Sequence, residues 1–373
     1  MTDVLAYARR CFHGATTDRI GVELEFPVFD RAAPNRTVPI ERIRAALPRL
    51  PGGSRVTFEP GGQLELSSPP GPFPGVIADL TADVHVARRA LREAGLVLGA
   101  TALDLVRPPV RQLHEPRYDA MAAFLGEPYG PLMMCSTASI QVNLDIGDEP
   151  AVRWERAHLL GPALVAAFAN SPAAGWASAR QAIWSHLDPT RTAPVPASGD
   201  PVADWARYLS HARLMMVRTR DGGLVPVLDG SRFRDFAAVA GRPPSGRDLA
   251  YHATTLFPPV RPRGWLEIRY LDAQPPAAWP VCAAVVYALI TDDRAAARAL
   301  EHAAPVSHRW LDAARSGLAD PELHRAAAAC FHAAIDALPR LGAGRRLIDR
   351  VTAFAAARLD RAPAAAPTEE VLA

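Results

Sequence analysis

Two short stretches alternate acid with hydrocarbon: Gly21-Val22-Glu23-Leu24-Glu25-Phe26 and Glu59-Pro60-Gly61-Gly62-Gln63-Leu64-Glu65-Leu66. A period of two fits a β-strand and not a helix, whose faces repeat every 3.6 residues. As strands, the first puts Glu23 and Glu25 on one face and Val22, Leu24 and Phe26 on the other. The second sets Gln63 and Glu65 against Leu64 and Leu66. Pro60-Gly61-Gly62 is a turn signal, so residues 55–59 and 63–67 are expected to form a hairpin. An acidic row backed by an apolar row has two readings: a solvated sheet face, or a basin that collects divalent cations.

Further strands are predicted over 97–103, 138–145 and 264–270, besides 20–26 and the hairpin. The alternation is clearest in Ser139-Ile140-Gln141-Val142-Asn143-Leu144-Asp145 and Trp265-Leu266-Glu267-Ile268-Arg269-Tyr270. Helical periodicity marks 75–94, 151–169, 202–217, 247–256, 279–303, 309–316, 321–337 and 344–359. Polar-faced strands and a short hairpin do not suit a parallel, doubly wound sheet. The pattern predicts one α+β domain over residues 1–361, built on a mainly antiparallel sheet. The Ala/Pro-rich tail, 362–373, is expected to be disordered.

Several function classes are set aside. A net charge of +2 without a basic stripe gives nucleic-acid binding no support. No apolar run reaches membrane-spanning length, and the first ten residues lack the order of a signal peptide, so no membrane partner and a cytoplasmic location are expected. The four cysteines are far apart, which disfavours disulfides and thiolate zinc sites. All 41 basic residues are arginine. Without lysine there is no Walker A loop, kinase-type lysine or Schiff base, so phosphate would be held by arginine, backbone N–H groups and metal.

Placed together, the polar strand faces offer Glu23, Glu25, Glu59, Gln63, Glu65, Ser139, Gln141, Asn143, Asp145, Glu267 and Arg269, with almost no cation among them. Clustered carboxylates repel and raise one another's pKa. A hard divalent cation such as Mg²⁺ relieves the conflict through oxygen ligands. Arg180, Arg191 and Arg269 are the arginines nearest these elements and could grip carboxylate or phosphate bidentately. Three loops stand out in composition: 106–118 and 257–264 carry clustered arginine and proline, and 185–201 runs through Asp188-Pro189-Thr190-Arg191 into a Pro/Ala/Gly-rich stretch. Histidines stand alone, and no serine-hydrolase elbow or dinucleotide fingerprint occurs.

Taken in order, the four strand motifs, together with Met133-Met134-Cys135-Ser136-Thr137 and Ala169-Asn170-Ser171-Pro172, resemble the glutamate–cysteine ligases of plant and bacterial type. Within them they resemble most the actinobacterial ligases of ergothioneine biosynthesis. The resemblance spans about residues 18–340. It implies a glutamine-synthetase-like fold, in which a curved antiparallel sheet forms an active-site funnel with helices outside. It also implies an enzyme that uses ATP to join the γ-carboxylate of L-glutamate to the amine of L-cysteine through γ-glutamyl phosphate. By motif position, Glu23, Glu25, Glu59, Glu65, Gln141 and Glu267 look like ligands for two or more Mg²⁺. Glu65 and Arg269 look catalytic, and Arg180, Arg191, Arg269 and Asn143 look like contacts to substrate or ATP. Three rivals stay open: a ligase of this fold with another amine, a non-catalytic Mg-nucleotide binder, and a metal-dependent hydrolase needing no ATP.

Overall fold

A computed structural model describes residues 3–219 and 222–360. The tail expected to be disordered lies outside the described residues. Six segments make the main sheet: β1 (Ile20–Phe26), β2 (Arg55–Phe58), β3 (Leu64–Ser67), β4 (Ser139–Asp145), β5 (Val260–Pro262) and β6 (Trp265–Asp272). Their spatial order is β2-β3-β1-β4-β6-β5, and every neighbouring pair is antiparallel. The sheet is open, with β2 and β5 at its edges.

Period-two alternation locks the register. Val22, Leu24, Phe26, Leu64, Leu66, Ile140, Val142, Leu144, Leu266 and Ile268 are each no more than 1% exposed. A one-residue slip of any strand would turn this set outward and bring carboxylates into the core. At roughly 1.5–3 kcal/mol per buried aliphatic side chain, that cost excludes other registers.

Helices pack against the sheet: α1 (Phe73–Glu93), α2 (Tyr129–Ser136), α3 (Gly161–Phe168), α4 (Ala179–Ser185) and α5 (Trp279–Thr291). Contacts join α1 and α5 to β1, α5 to β4, and α3 to β6. Residues 279–290 of α5 are all buried, because this helix is central and needs no polar face. Among the described residues no helix is long and apolar enough to cross a membrane.

The hairpin between β2 and β3 turns as expected. The Gly62 N–H donates to Glu59 O at 2.8 Å, and the Glu59 N–H to Gln63 O at 3.0 Å. Gly62 has φ +91°, and a Cβ on Gly61 would lie 2.4 Å from Cys135 O. Glycine therefore lets the turn press against α2.

The expectation for 97–103 is corrected to Leu96–Leu98, which pairs outside the main sheet with Val28–Asp30. The chain bends away at Gly99, whose N–H donates to Pro27 O at 2.6 Å. The run 151–169 splits into Pro150–Leu159 and α3, because Pro162 cannot donate into a continuous helix. The run 279–303 splits after Thr291, where Asp292 caps the next helix by accepting the Ala295 N–H at 2.8 Å. The run 202–217 ends as a helix at His211, and Met216–Arg218 instead pairs with Leu224–Pro226.

Candidate active site

Across the polar face the register stacks side chains in rows. Thr57, Glu65 and Glu25 form one; Arg55, Ser67, Glu23 and Gln141 form the next; Gly21, Asn143, Glu267 and Arg261 form the third. Above the first two rows lies a cavity of about 290 Å³, walled also by α2, α4 and the helix Pro116–Leu125.

The first row meets the hairpin. One carboxylate oxygen each from Glu25, Glu59 and Glu65 lies within 4.8 Å of the others. Glu25 is tightly held: it accepts the Ser139 N–H at 2.7 Å, the Ser139 hydroxyl at 2.8 Å and the Gln141 amide at 3.0 Å. Glu65 accepts hydroxyls from Thr57 and Ser67, both at 2.7 Å. Burial pushes the Glu59 carboxyl well up, and the charges of Glu25 and Glu65 push it further. Burial and Glu65 raise Glu25 in the same way. Glu23, in the second row, is pushed up to about 7 by burial, then by Glu267 and Glu65. Beside them the buried amide of Gln63 donates to Thr137 O at 2.9 Å, while its Oε1 has no partner. An all-oxygen, protonation-prone donor set with an orphaned amide oxygen fits a hard divalent cation such as Mg²⁺.

The third row corrects the expectation of a face without cations. Glu267 sits 2.5 Å from Arg261, 3.3 Å from Arg263 and 3.2 Å from Arg269. Burial alone would raise its pKa, but the guanidinium groups of Arg261 and Arg269 outweigh that and hold it at about 2. Glu267 stands outside the carboxylate triad and is occupied by arginine. Gln141 is occupied as well, since its Oε1 accepts from Arg269 at 2.5 Å while its amide donates to Glu25. It bridges Glu25 to Arg269. Arg269 sits at an irregularity of the β6–β4 pairing, between Ile268 and Leu271, and lines the cavity.

Arg180, on α4, lines the cavity too and is 4% exposed. Its Nη2 donates to Arg269 O at 3.1 Å, while Nε and Nη1 have no hydrogen-bond partner. Arg191 does not reach the site, which corrects the expectation of substrate contact. It is fully buried, and its donors go to Asp188 at 3.0 Å, Thr255 O at 2.7 Å and Arg213 O at 2.6 Å. Asn143 lies along the sheet from the triad, donating to Glu23 at 3.1 Å and accepting from Trp265 at 3.1 Å. It lines a second cavity of about 500 Å³ over Gly21, with Arg19, Arg55, Ser67 and Trp265. Glu23 and Arg55 border both cavities.

Arg261 and Arg263 belong to a loop noted for its composition, but their pairing with Glu267 was not apparent from the sequence. The alternation Val260-Arg261-Pro262-Arg263 was the available signal for a charged edge strand. Tyr118 and Met121, spaced i,i+3 on one helix face, line the cavity with Met133, Met134 and Trp184. Nothing in their local pattern separates them from ordinary core residues.

A raised carboxyl binds its proton more tightly in the folded state. Its stabilising contribution is fully present below the unfolded value, 4.5 for Glu23, and is lost as pH rises through about 7. Relative to Glu23→Gln, which cannot ionise, the metal-free protein is expected to lose up to ~3 kcal/mol of stability between pH 4.5 and pH 8. Chemical denaturation of both proteins in EDTA across that range checks this; parallel curves would show Glu23 to be an ordinary exposed carboxylate. Mg²⁺ should reverse the loss most strongly at the upper end, where no proton has to be displaced.

A family model described as glutamate–cysteine ligase family 2 matches residues 19–357. The glutamate–cysteine ligase EgtA of Mycolicibacterium smegmatis is 45% identical over 345 residues, covering 86% of this chain and 80% of that protein. EgtA of Mycobacterium tuberculosis is 43% identical over 381 residues, covering 94% and 88%. A chloroplastic glutamate–cysteine ligase of Brassica juncea is 31% identical over 254 residues, covering 61% and 49%. Two solved structures share the fold at a TM-score of 0.50. The glutamate–cysteine ligase of Francisella tularensis, in complex with AMP, is 13% identical, covering 93% of this chain and 83% of that one. The bifunctional glutathione synthetase of Pasteurella multocida is 14% identical, and this chain covers 51% of its length.

Proposed function

The chain belongs to glutamate–cysteine ligase family 2, and we propose that the polar face of its sheet is the surface where ATP, glutamate and cysteine meet. The reaction is the ATP-dependent formation of γ-glutamylcysteine, serving the synthesis of ergothioneine or a related thiol. The carrying observation is the convergence of Glu25, Glu59 and Glu65 in a cavity that Arg180 and Arg269 also line. The face acts as the wall of a funnel of glutamine-synthetase type, and residues 3–360 work as one catalytic domain.

Glu25, Glu59 and Glu65 would hold Mg²⁺, with Glu23 and Gln63 within reach of the same end. Bound there, the metal supplies positive charge between phosphate and carboxylate groups that would otherwise repel. Arg269 and Arg180 take the oxyanions: the glutamate carboxylates, or the phosphoryl group in transfer. The second cavity, lined by Arg19, Arg55 and Trp265, would take the nucleotide. An oxygen of the glutamate γ-carboxylate attacks the terminal phosphorus, and the bond to ADP breaks. The cysteine amine then attacks the acyl carbon, and phosphate leaves with the electrons of the C–O bond and takes up the amine's proton. The wall of Met121, Met133, Met134 and Trp184 shields the acyl phosphate from water.

Mass-spectrometric analysis of a mixture of protein, ATP, Mg²⁺, glutamate and twenty amino acids tests this. The expected product is γ-glutamylcysteine, with ADP formed in step. A different γ-glutamyl product would overturn the acceptor, and ATP binding without product would overturn catalysis.

A further inference from the structure

Asp272 ends β6 outside the cavity lining, yet its buried carboxylate is crowded with donors. Oδ2 accepts the Asn170 N–H at 2.7 Å and the Ser171 hydroxyl at 2.8 Å. Oδ1 accepts the Ser178 hydroxyl at 2.9 Å and lies 3.8 Å from Arg180 Nη1. Both serines are themselves used again. Ser171 Oγ accepts the backbone N–H of Arg180 at 3.1 Å, and Ser178 is the N-cap of α4, accepting the Gln181 N–H at 3.3 Å. One carboxylate thus fixes the start of the helix that carries Arg180 and Trp184 into the cavity.

The far side of this arrangement is equally determined. Gln181 donates to Tyr270 O at 2.7 Å, and Arg180 Nη2 donates to Arg269 O at 3.1 Å. The guanidinium is held by the backbone of β6 on one side and by the Asp272 charge on another. Nε and Nη1 remain buried without hydrogen bonds. Unmatched buried donors are costly, and an oxyanion would match them. At 3.8 Å the Asp272–Arg180 contact is a long ion pair that offsets the guanidinium charge.

We propose that Asp272 is a positioning residue for the ligase reaction: through Ser171, Ser178 and its own charge it holds Arg180 in the cavity wall to receive a substrate oxyanion, carboxylate or phosphoryl. This rests on the reading of Arg180 as an anion contact.

The test is a double-mutant cycle between Asp272→Asn and Arg180→Met, reading KM for glutamate, cysteine and ATP separately, and melting temperature. Asp272→Asn is expected to raise one KM about tenfold, against less than about twofold in the Arg180→Met background. A shift in KM for glutamate or cysteine identifies a carboxylate, and a shift for ATP a phosphoryl group. Ser171→Ala, a milder change, should raise the same KM about threefold, and serves if Asp272→Asn does not fold. If Asp272→Asn and Ser171→Ala lower only melting temperature, or act equally in both backgrounds, the positioning role is overturned. If Arg180→Met itself leaves every KM unchanged, the reading of Arg180 fails instead.

Discussion

Glu59→Gln is expected to lower kcat by about 10³-fold or more, while the metal-free protein at pH 8 melts higher than the wild type. Both effects have one cause. Glu59 shares its corner with Glu25 and Glu65, and burial plus their charge push its carboxyl well up. Ionising the cluster without metal therefore costs repulsion that an amide removes. The same amide weakens the hold on a divalent cation, whose charge phosphoryl transfer needs. Steady-state rates at saturating Mg²⁺, with thermal melts in EDTA, check the pair of outcomes. A kcat within tenfold of wild type would place the metal elsewhere, and a lower melting temperature would make Glu59 a structural residue. A gain in stability with loss of activity is the signature of a site that holds strain for function.

Arg191→Met is expected to cost about 3–5 kcal/mol of stability and to leave the KM values for glutamate and ATP unchanged. The guanidinium is fully buried and joins three segments: Asp188 in its own turn, Thr255, and Arg213. It also sits over the Phe124 ring, 4.4 Å from its centroid. Methionine keeps much of the volume but leaves the Asp188 carboxylate without its ion pair and two carbonyls without donors. Urea denaturation gives the stability change, and kinetics on the folded protein give the KM values. A tenfold rise in one KM without loss of stability would mean that Arg191 reaches an anionic substrate and that its packing is replaceable.

The two arginines show where sequence reading runs out. Arg180 and Arg191 lie eleven positions apart in similar surroundings, and both were candidates for anion binding. One lines the cavity with donors to spare, and the other is consumed inside the protein. A guanidinium is committed by the carbonyls and carboxylates that meet it, and for Arg191 these come from residues as far along as Thr255. The glutamates divide in the same way. Glu25 and Glu65 converge, whereas Glu267, in an equally regular sequence alternation, is surrounded by arginine. Its partner Arg261 lies across a strand pair whose register no local pattern announces.

Which residues of a strand share a face follows from the chain alone, because the period of two is a property of the backbone and needs no partner. Val22, Leu24 and Phe26 were bound to face inward together, and Glu23 and Glu25 to face away from them. Which strands lie side by side is set by burying all the apolar faces against one layer of helices at once. That global condition brings Ser139 to Glu25 across 114 positions and Arg261 to Glu267. The acidic alternation near the N-terminus thus determined the acidic part of the polar face. The arginines that meet those acids came to the face only when distant strands met.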